Sequence, residues 1–173
     1  MGDVRTRLVE STFEDFYEAH AARIQAVLQL YGRSPHDAAD DTADAFVRAW
    51  ERWDRVGQMA RPEAWVMTVA FNIVRRKARR GAIEKTVDPA DLPAGPISGA
   101  WPDIDLIQAL RHLSARQRQA VLLRYSLGLS ESECASAMGV REGTASATLA
   151  QARSRLASLL GDRSNQSNGS PEE

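Results

Sequence analysis

The chain has a single cysteine, Cys134, so it can form no internal disulfide. That residue falls on the inward line of its predicted helix and reads as a small buried hydrophobe. The three histidines, His20, His36 and His112, are scattered, and no His/Cys pair has zinc-ligand spacing. No Walker loop, G-x-S-x-G or H-E-x-x-H occurs. No metal, no cofactor and no enzymatic activity are therefore expected. No apolar run approaches the roughly 18 residues of a membrane span, and the opening "MGDVRTRLVE" has no apolar signal core. A cytoplasmic protein without a membrane span is expected.

Net charge is also scarce, at −1, but it is unevenly spread. Residues 1–60 carry seven Arg against eleven acids, net −4, and residues 61–85 carry seven basic groups against two acids, net +5. Residues 86–106 hold four Asp and no base, and residues 107–160 hold seven Arg against three Glu. The last stretch, 161–173, is net −2. Two basic blocks separated by an acidic strip suggest two polyanion contacts on one chain, with solvated helix faces as the plainer account.

What is present is helical period, and an all-α fold follows. In the first helix Phe13, Phe16, Tyr17, Ile24, Val27, Leu28 and Tyr31 share a stripe, behind a capping box expected at Ser11 and Glu14. Gly32 ends it. The second opens at Ser34-Pro35 and lines up Thr42, Ala45, Phe46, Ala49, Trp50 and Trp53. The third opens at Arg61-Pro62, with Trp65, Val69, Ile73 and Lys77 as its expected inner line. Residues 1–80 thus read as a three-helix unit. Residues 81–103, with four prolines and three glycines over 81–102, read as a flexible acidic linker. Residues 104–160 form a second helical unit. There Ile107, Leu110 and Leu113 end a short helix, and Ser114/Gln117 cap one carrying Val121, Leu122 and Tyr125. Ser130/Glu133 cap a third, which carries Cys134, Ala135 and Met138 and ends at Gly139. Ala145, Leu149, Ala152, Leu156 and Leu159 then give one buried face of a final helix. The tail 161–173 is polar and reads as disordered.

Three constellations could carry function. Residues 130–156 have the outline of a helix-turn-helix, in which the second helix enters the major groove N-terminus first. An ordinary helical hairpin has the same outline. The outward residues here are Glu142, Thr144, Ser146, Ala147, Thr148 and Gln151, with Arg141 at the turn and Arg153 and Arg155 beyond. Thr, Ser and Gln can donate to phosphates or base edges, and Ala can meet a thymine methyl. In "RPEAWVMTVAFNIVRRKARR", Thr68, Asn72, Arg75, Arg76 and Arg79 form a polar stripe that suits a phosphate backbone. A helix dipole explains one or two C-terminal arginines, but less easily five basic residues in six positions. Trp65 and Phe71 read as core rather than as stacking platforms. Asp37 suits the first turn of the second helix, and Asp40, Asp41 and Asp44 form an acidic cluster without calcium-loop spacing. A protein-docking face or plain solvation accounts for it.

These segments, in this order, resemble the extracytoplasmic-function group of bacterial RNA polymerase sigma factors over nearly the whole chain. "FEDFYEAHAARI", "HDAADDTADAFVRAWERW" and "RPEAWVMTVAFNIVRRKARR" resemble the family's second region. "LIQALRHLSARQRQAVLLRYSLGLSESECASAMGVREGTASATLAQARSRL" resembles its fourth. The resemblance implies two small helical domains and promoter-specific transcription initiation with core RNA polymerase, whose clamp coiled coil and flap are the expected contacts. Polymerase docking would fall to Asp37, Asp40, Asp44, Arg48 and Trp50. The promoter's −10 element would be read and opened by Thr68, Asn72, Arg75, Arg76, Arg79 and Arg80, with Asn72 at the position that meets a flipped base. The −35 element would be read by Arg141, Glu142, Thr144, Ser146, Ala147, Thr148, Gln151 and Arg153. The linker would thread towards the RNA exit path, and an anti-sigma factor is an expected partner. A stand-alone helix-turn-helix regulator and a helical protein-interaction module are the competing readings.

Three departures from the family pattern stand out. Asp41 occupies a position that is commonly leucine, and Ala43 one that is commonly glutamine, both on the docking helix. The recognition helix reads "GTASATLAQAR" where the pattern is close to "GTVKSRLxRAR", so Ser146 and Thr148 replace basic residues. Each lost phosphate contact lowers the salt slope by about one unit, and a weak −35 interaction assisted by another protein is expected.

Overall fold

A computed structural model describes residues 12–80 and 104–167; in the second stretch side chains are described over 106–161. The expected linker and the residues before Thr12 and after Ser167 lie outside the described residues. In chain order the helices are α1 (Phe13–Tyr31), α2 (Pro35–Trp50), the one-turn α3 (Trp53–Val56), α4 (Pro62–Arg79), α5 (Ile104–Arg111), α6 (Ala115–Val121), α7 (Glu131–Met138) and α8 (Glu142–Ser167). The described residues contain no strand. This is the expected all-α fold.

Local chemistry sets most of the boundaries. Ser34 accepts from the Asp37 amide at 3.0 Å, and Pro35 begins α2. Ser114/Gln117 and Ser130/Glu133 form full capping boxes at α6 and α7. At α1 the box lies one residue later than expected: Thr12 caps, accepting from the Asp15 amide at 3.2 Å. The two candidate pairs have the same i, i+3 spacing, and starting the helix at Phe13 puts that ring against Phe46, Trp50 and Trp53. Trp53 is not on α2 but opens α3, from which its ring still meets Phe16 at 4.9 Å. The last helix continues through Gly161 to Ser167, beyond the expected end at residue 160.

Burial removes apolar area from water and drives the packing. One core runs through both units, from Phe16, Ile24, Val27, Leu28, Phe46, Met67 and Phe71 to Leu110, Leu123, Leu129, Cys134, Leu149 and Ala152. Several expected core positions are corrected. Tyr125 is 59% exposed. It lies in a π-helical turn over Leu122–Ser126, whose wider spacing takes it off the Val121–Leu122 face. Trp65 and Val69 are only half-buried; the inner face of α4 is Val66, Met67, Ala70, Phe71, Ile73 and Val74.

The two units are fastened by arginines that reach main-chain carbonyls. Arg118 of α6 donates to the Leu110, Arg111 and Leu113 carbonyls at 2.8, 3.0 and 3.2 Å, and across to Tyr31 O at 2.6 Å. Gly32 makes room for it. Its φ of +112° is left-handed, and a Cβ there would lie 3.0 Å from an Arg118 nitrogen.

Candidate nucleic-acid interface

A cavity of about 550 Å³ opens between the C-terminal part of α2 and the outer face of α4, lined by Arg48, Glu51, Arg52, Trp65, Val69, Asn72, Arg75, Arg76 and Arg79. Its floor follows from helix geometry: Trp65, Val69, Asn72 and Arg76 recur at i, i+4, i+7 and i+11 on one side of α4. Five guanidiniums therefore surround an indole and an amide, a combination suited to phosphates around an unstacked base.

Four of the six residues expected to meet −10 DNA come together here: Asn72, Arg75, Arg76 and Arg79. Thr68 does not line the cavity; its hydroxyl donates to Ala64 O at 2.8 Å within α4. Arg80 is exposed at the end of the helix. Arg75 donates to Asn72 Oδ1 and also, at 3.2 Å, to the carbonyl of Met138 in the second unit.

Sequence reasoning missed Trp65, Arg48 and Arg52 as members of this site. Trp65 was expected inside because it is large and apolar, but the i, i+7 relation to Asn72 was the available signal. Arg48 was expected on the polymerase face; it lies in the groove instead.

The acidic cluster of α2 divides. Asp40 and Asp44 are exposed, at 59% and 58%. Asp37 is partly buried, 3.6 Å from Arg33. Asp41 is fully buried, accepting from Arg33 Nε at 2.8 Å and Lys77 Nζ at 2.6 Å. Asp41 is thus an internal ion-pair centre that ties the end of α1 to α4, and not part of a solvated or docking cluster. The hydrogen bond to Asp41 holds the Lys77 ammonium above its ordinary pKa, against partial burial. Lys77 meets the expectation of an inward position by this route.

On the outer side, Val47 and Trp50 are each 57% exposed and Tyr17 is 44% exposed. Phe13, Glu14, Tyr17, Glu18 and Trp50 border a shallow cleft of about 420 Å³. Sequence reasoning did not single out Tyr17 or Val47 for this face.

The helix-turn-helix has the expected form. α7 ends at Gly139, whose φ is +65°, and α8 follows. Burial pushes the Cys134 thiol on α7 up to about 11. Arg141, just before α8, and Glu142, Thr144, Ala147, Gln151 and Arg153 on it are exposed. Ser146 and Thr148 are less free than expected: Ser146 donates to Glu131 of α7, and Thr148 donates to Thr144 O at 2.7 Å. Among the described residues no three His, Cys, Asp or Glu side chains are grouped to hold a metal, and no helix is long and apolar enough to cross a membrane.

Comparison with known proteins agrees with this layout. The family description Sigma-70 region 2 matches residues 16–82, and Sigma-70, region 4 matches residues 103–156. The ECF RNA polymerase sigma factor SigL of Mycobacterium tuberculosis is 31% identical over 142 residues, covering 77% of this chain and 80% of the relative. The RNA polymerase sigma-E factor of Streptomyces coelicolor is 30% identical over 149 residues, covering 82% and 84%. Among solved structures, the sigma factor RpoE of Bartonella quintana, crystallised with the anti-sigma factor NepR, shares the fold. Its TM-score is 0.72, with 23% identity over 86% of this chain and 96% of that one.

Proposed function

The chain belongs to the extracytoplasmic-function group of RNA polymerase sigma factors, which direct promoter-specific transcription initiation, and on that premise we propose that the groove between α2 and α4 receives the opened −10 strand. The observation that carries this reading is the placement of Trp65 beside Asn72 within a ring of arginines. A base leaving the duplex loses a few kcal/mol of stacking, and an indole face returns about 1–3 kcal/mol of it. Asn72 can pair with a base edge through its amide. Arg76, Arg79, Arg48 and Arg52 hold phosphates, while Thr68 shapes the helix and Arg80 extends the basic end.

The exposed face of α8 is proposed to read duplex −35 DNA through Arg141, Thr144, Ala147, Gln151 and Arg153, flanked by Glu142. Ser146 and Thr148 contribute less, since both hydroxyl protons are already donated within the protein. Polymerase is proposed to dock on the outer face of α2, through Asp40, Asp44, Val47 and Trp50 with Tyr17 beside them. Asp37 supports that face through Arg33. In this reading residues 1–80 and 104–160 act as the two promoter-reading regions, 81–103 connects them, and the second region meets the polymerase flap. The protein works in the cytoplasm and supplies no catalytic group of its own. It is held in check by an anti-sigma factor, the kind of partner with which the Bartonella protein was crystallised.

The test is Asn72→Ala in a reconstituted initiation assay. Open-complex formation should fall while binding to core polymerase stays within about twofold. Equal loss of both would overturn the assignment of Asn72 to the DNA strand.

A further inference from the structure

The groove between α2 and α4 holds one group that phosphate binding does not explain. Glu51 lines it among Arg48, Arg52, Arg75, Arg76 and Arg79. A carboxylate there repels a phosphate backbone. It also stands at the end of α2, where the helix dipole disfavours negative charge. Glu51 is paired with the adjacent Arg52 at 3.5 Å, but both side chains are more than half exposed, so the pair contributes little to stability.

Asn72, which lines the same groove, is already half committed. Its Oδ1 accepts from Arg75, which leaves its amide nitrogen to donate to a ligand. The groove therefore offers a base a charged acceptor and a neutral donor. Trp65 lines it too and supplies a face to stack on.

The four bases differ in what they return. On its pairing edge guanine carries two neighbouring donors, N1–H and the N2 amine, spaced for the two oxygens of one carboxylate. It also carries acceptors at O6 and N7 for an amide or a guanidinium. Cytosine and adenine offer one amine next to a bare ring nitrogen, and thymine offers one N–H between two carbonyls. Against a carboxylate, the second contact of each is a repulsion between lone pairs, and an acceptor left unpaired is costly.

We propose that Glu51 is a specificity-determining residue of the groove and selects a guanine from the opened strand. Glu51 accepts from N1–H and the N2 amine, Asn72 donates to O6, and Trp65 stacks on the ring. This rests on the promoter-strand reading of the groove and adds to it the base that is read.

The experiment uses the full chain assembled with core polymerase, with core polymerase alone as background. The probes are dT strands of about 12 nucleotides with guanine, inosine or thymine at the centre. A thymine strand can slide until its one different base fills the site, and inosine differs from guanine only in lacking the N2 amine. The guanine strand should bind about tenfold tighter than the all-thymine strand, the size of one bidentate contact, and the inosine strand about threefold tighter. Glu51→Ala should bring the three strands within about twofold of one another and tighten the all-thymine strand, because a repelling charge is lost. Glu51→Gln keeps one acceptor oxygen without the charge and should retain a guanine preference of about threefold. Glu51 is exposed, so neither change disturbs the core. If Glu51 serves only to pair Arg52, Glu51→Ala shifts all three strands equally and their ratios survive. That outcome, or equal binding of the three strands by the unaltered protein, overturns the guanine assignment while the promoter reading stands. No strand binding above background by any form overturns both.

Discussion

The outer faces of α4 and α8 are both offered to nucleic acid, but they are built in opposite ways. α4 surrounds Trp65 and Asn72 with Arg75, Arg76 and Arg79, and α2 adds Arg48 and Arg52. Along α8 no charge falls between Glu142 and Arg153, and Ser146 and Thr148 spend their hydroxyl protons inside the protein. In the proposed reading the first face, a charged groove, suits a deformed strand, and the second, a neutral ridge, suits a regular duplex. That reading assigns affinity and alignment to different halves of the molecule.

The strongest way to break this contrast is to discharge the groove. Arg76→Ala with Arg79→Ala removes two charge-assisted contacts at about 1.5 kcal/mol each. Open-complex formation should fall about 100-fold, with a salt slope shallower by about 1.4 units. Salt-dependent footprinting measures both, and an unchanged slope would show that these arginines do not meet phosphates.

Next in size is the buried carboxylate that holds α4 in place. Asp41→Ala leaves Arg33 and Lys77 without their shared partner and should cost about 2–3 kcal/mol, less than a fully buried pair because Lys77 is a third exposed. Urea titration measures the loss. Asp41→Leu with Arg33→Met should recover much of it, since apolar replacement of a buried pair is often neutral. The contribution of Lys77 has a definite pH sign. Its pKa is raised in the fold, so its stabilisation is complete below the ordinary lysine value of 10.5 and is lost as pH rises beyond it.

Trp65→Ala sharpens the contrast by removing the stacking surface. Binding of a −10 single strand should weaken about tenfold, with some loss of thermal stability as well, because the partly buried indole also packs against the core. The smallest effect is the converse experiment on α8. Thr148→Arg should steepen the salt slope of −35 binding by about 0.9. Ser146→Lys should add less, because Glu131 lies against that position and would hold the new ammonium.

The helix ends were legible because capping is local: Ser34, Ser114, Ser130, Gly32 and Gly139 act through neighbours a few residues away. The register of α4 was not. Its apolar residues go almost all round, since α2 covers one side and the second unit covers another, so a 3.6-residue period admits more than one inner face. Trp65 was placed inside on size alone. Asp41 was legible as an oddity among surface acids, but its partners come from 8 and 36 residues away, a distance no spacing rule reaches. The fastening of one unit to the other was hidden for the same reason, because guanidinium-to-carbonyl contacts leave no complementary charge in the sequence.

Gly32 gives that fastening a genetic meaning. Any other residue there must adopt a left-handed backbone and would crowd Arg118, which spans from the end of α5 to the Tyr31 carbonyl. A single-codon change at Gly32 would therefore strain the backbone and loosen the seam between the two units from a position outside both candidate interfaces.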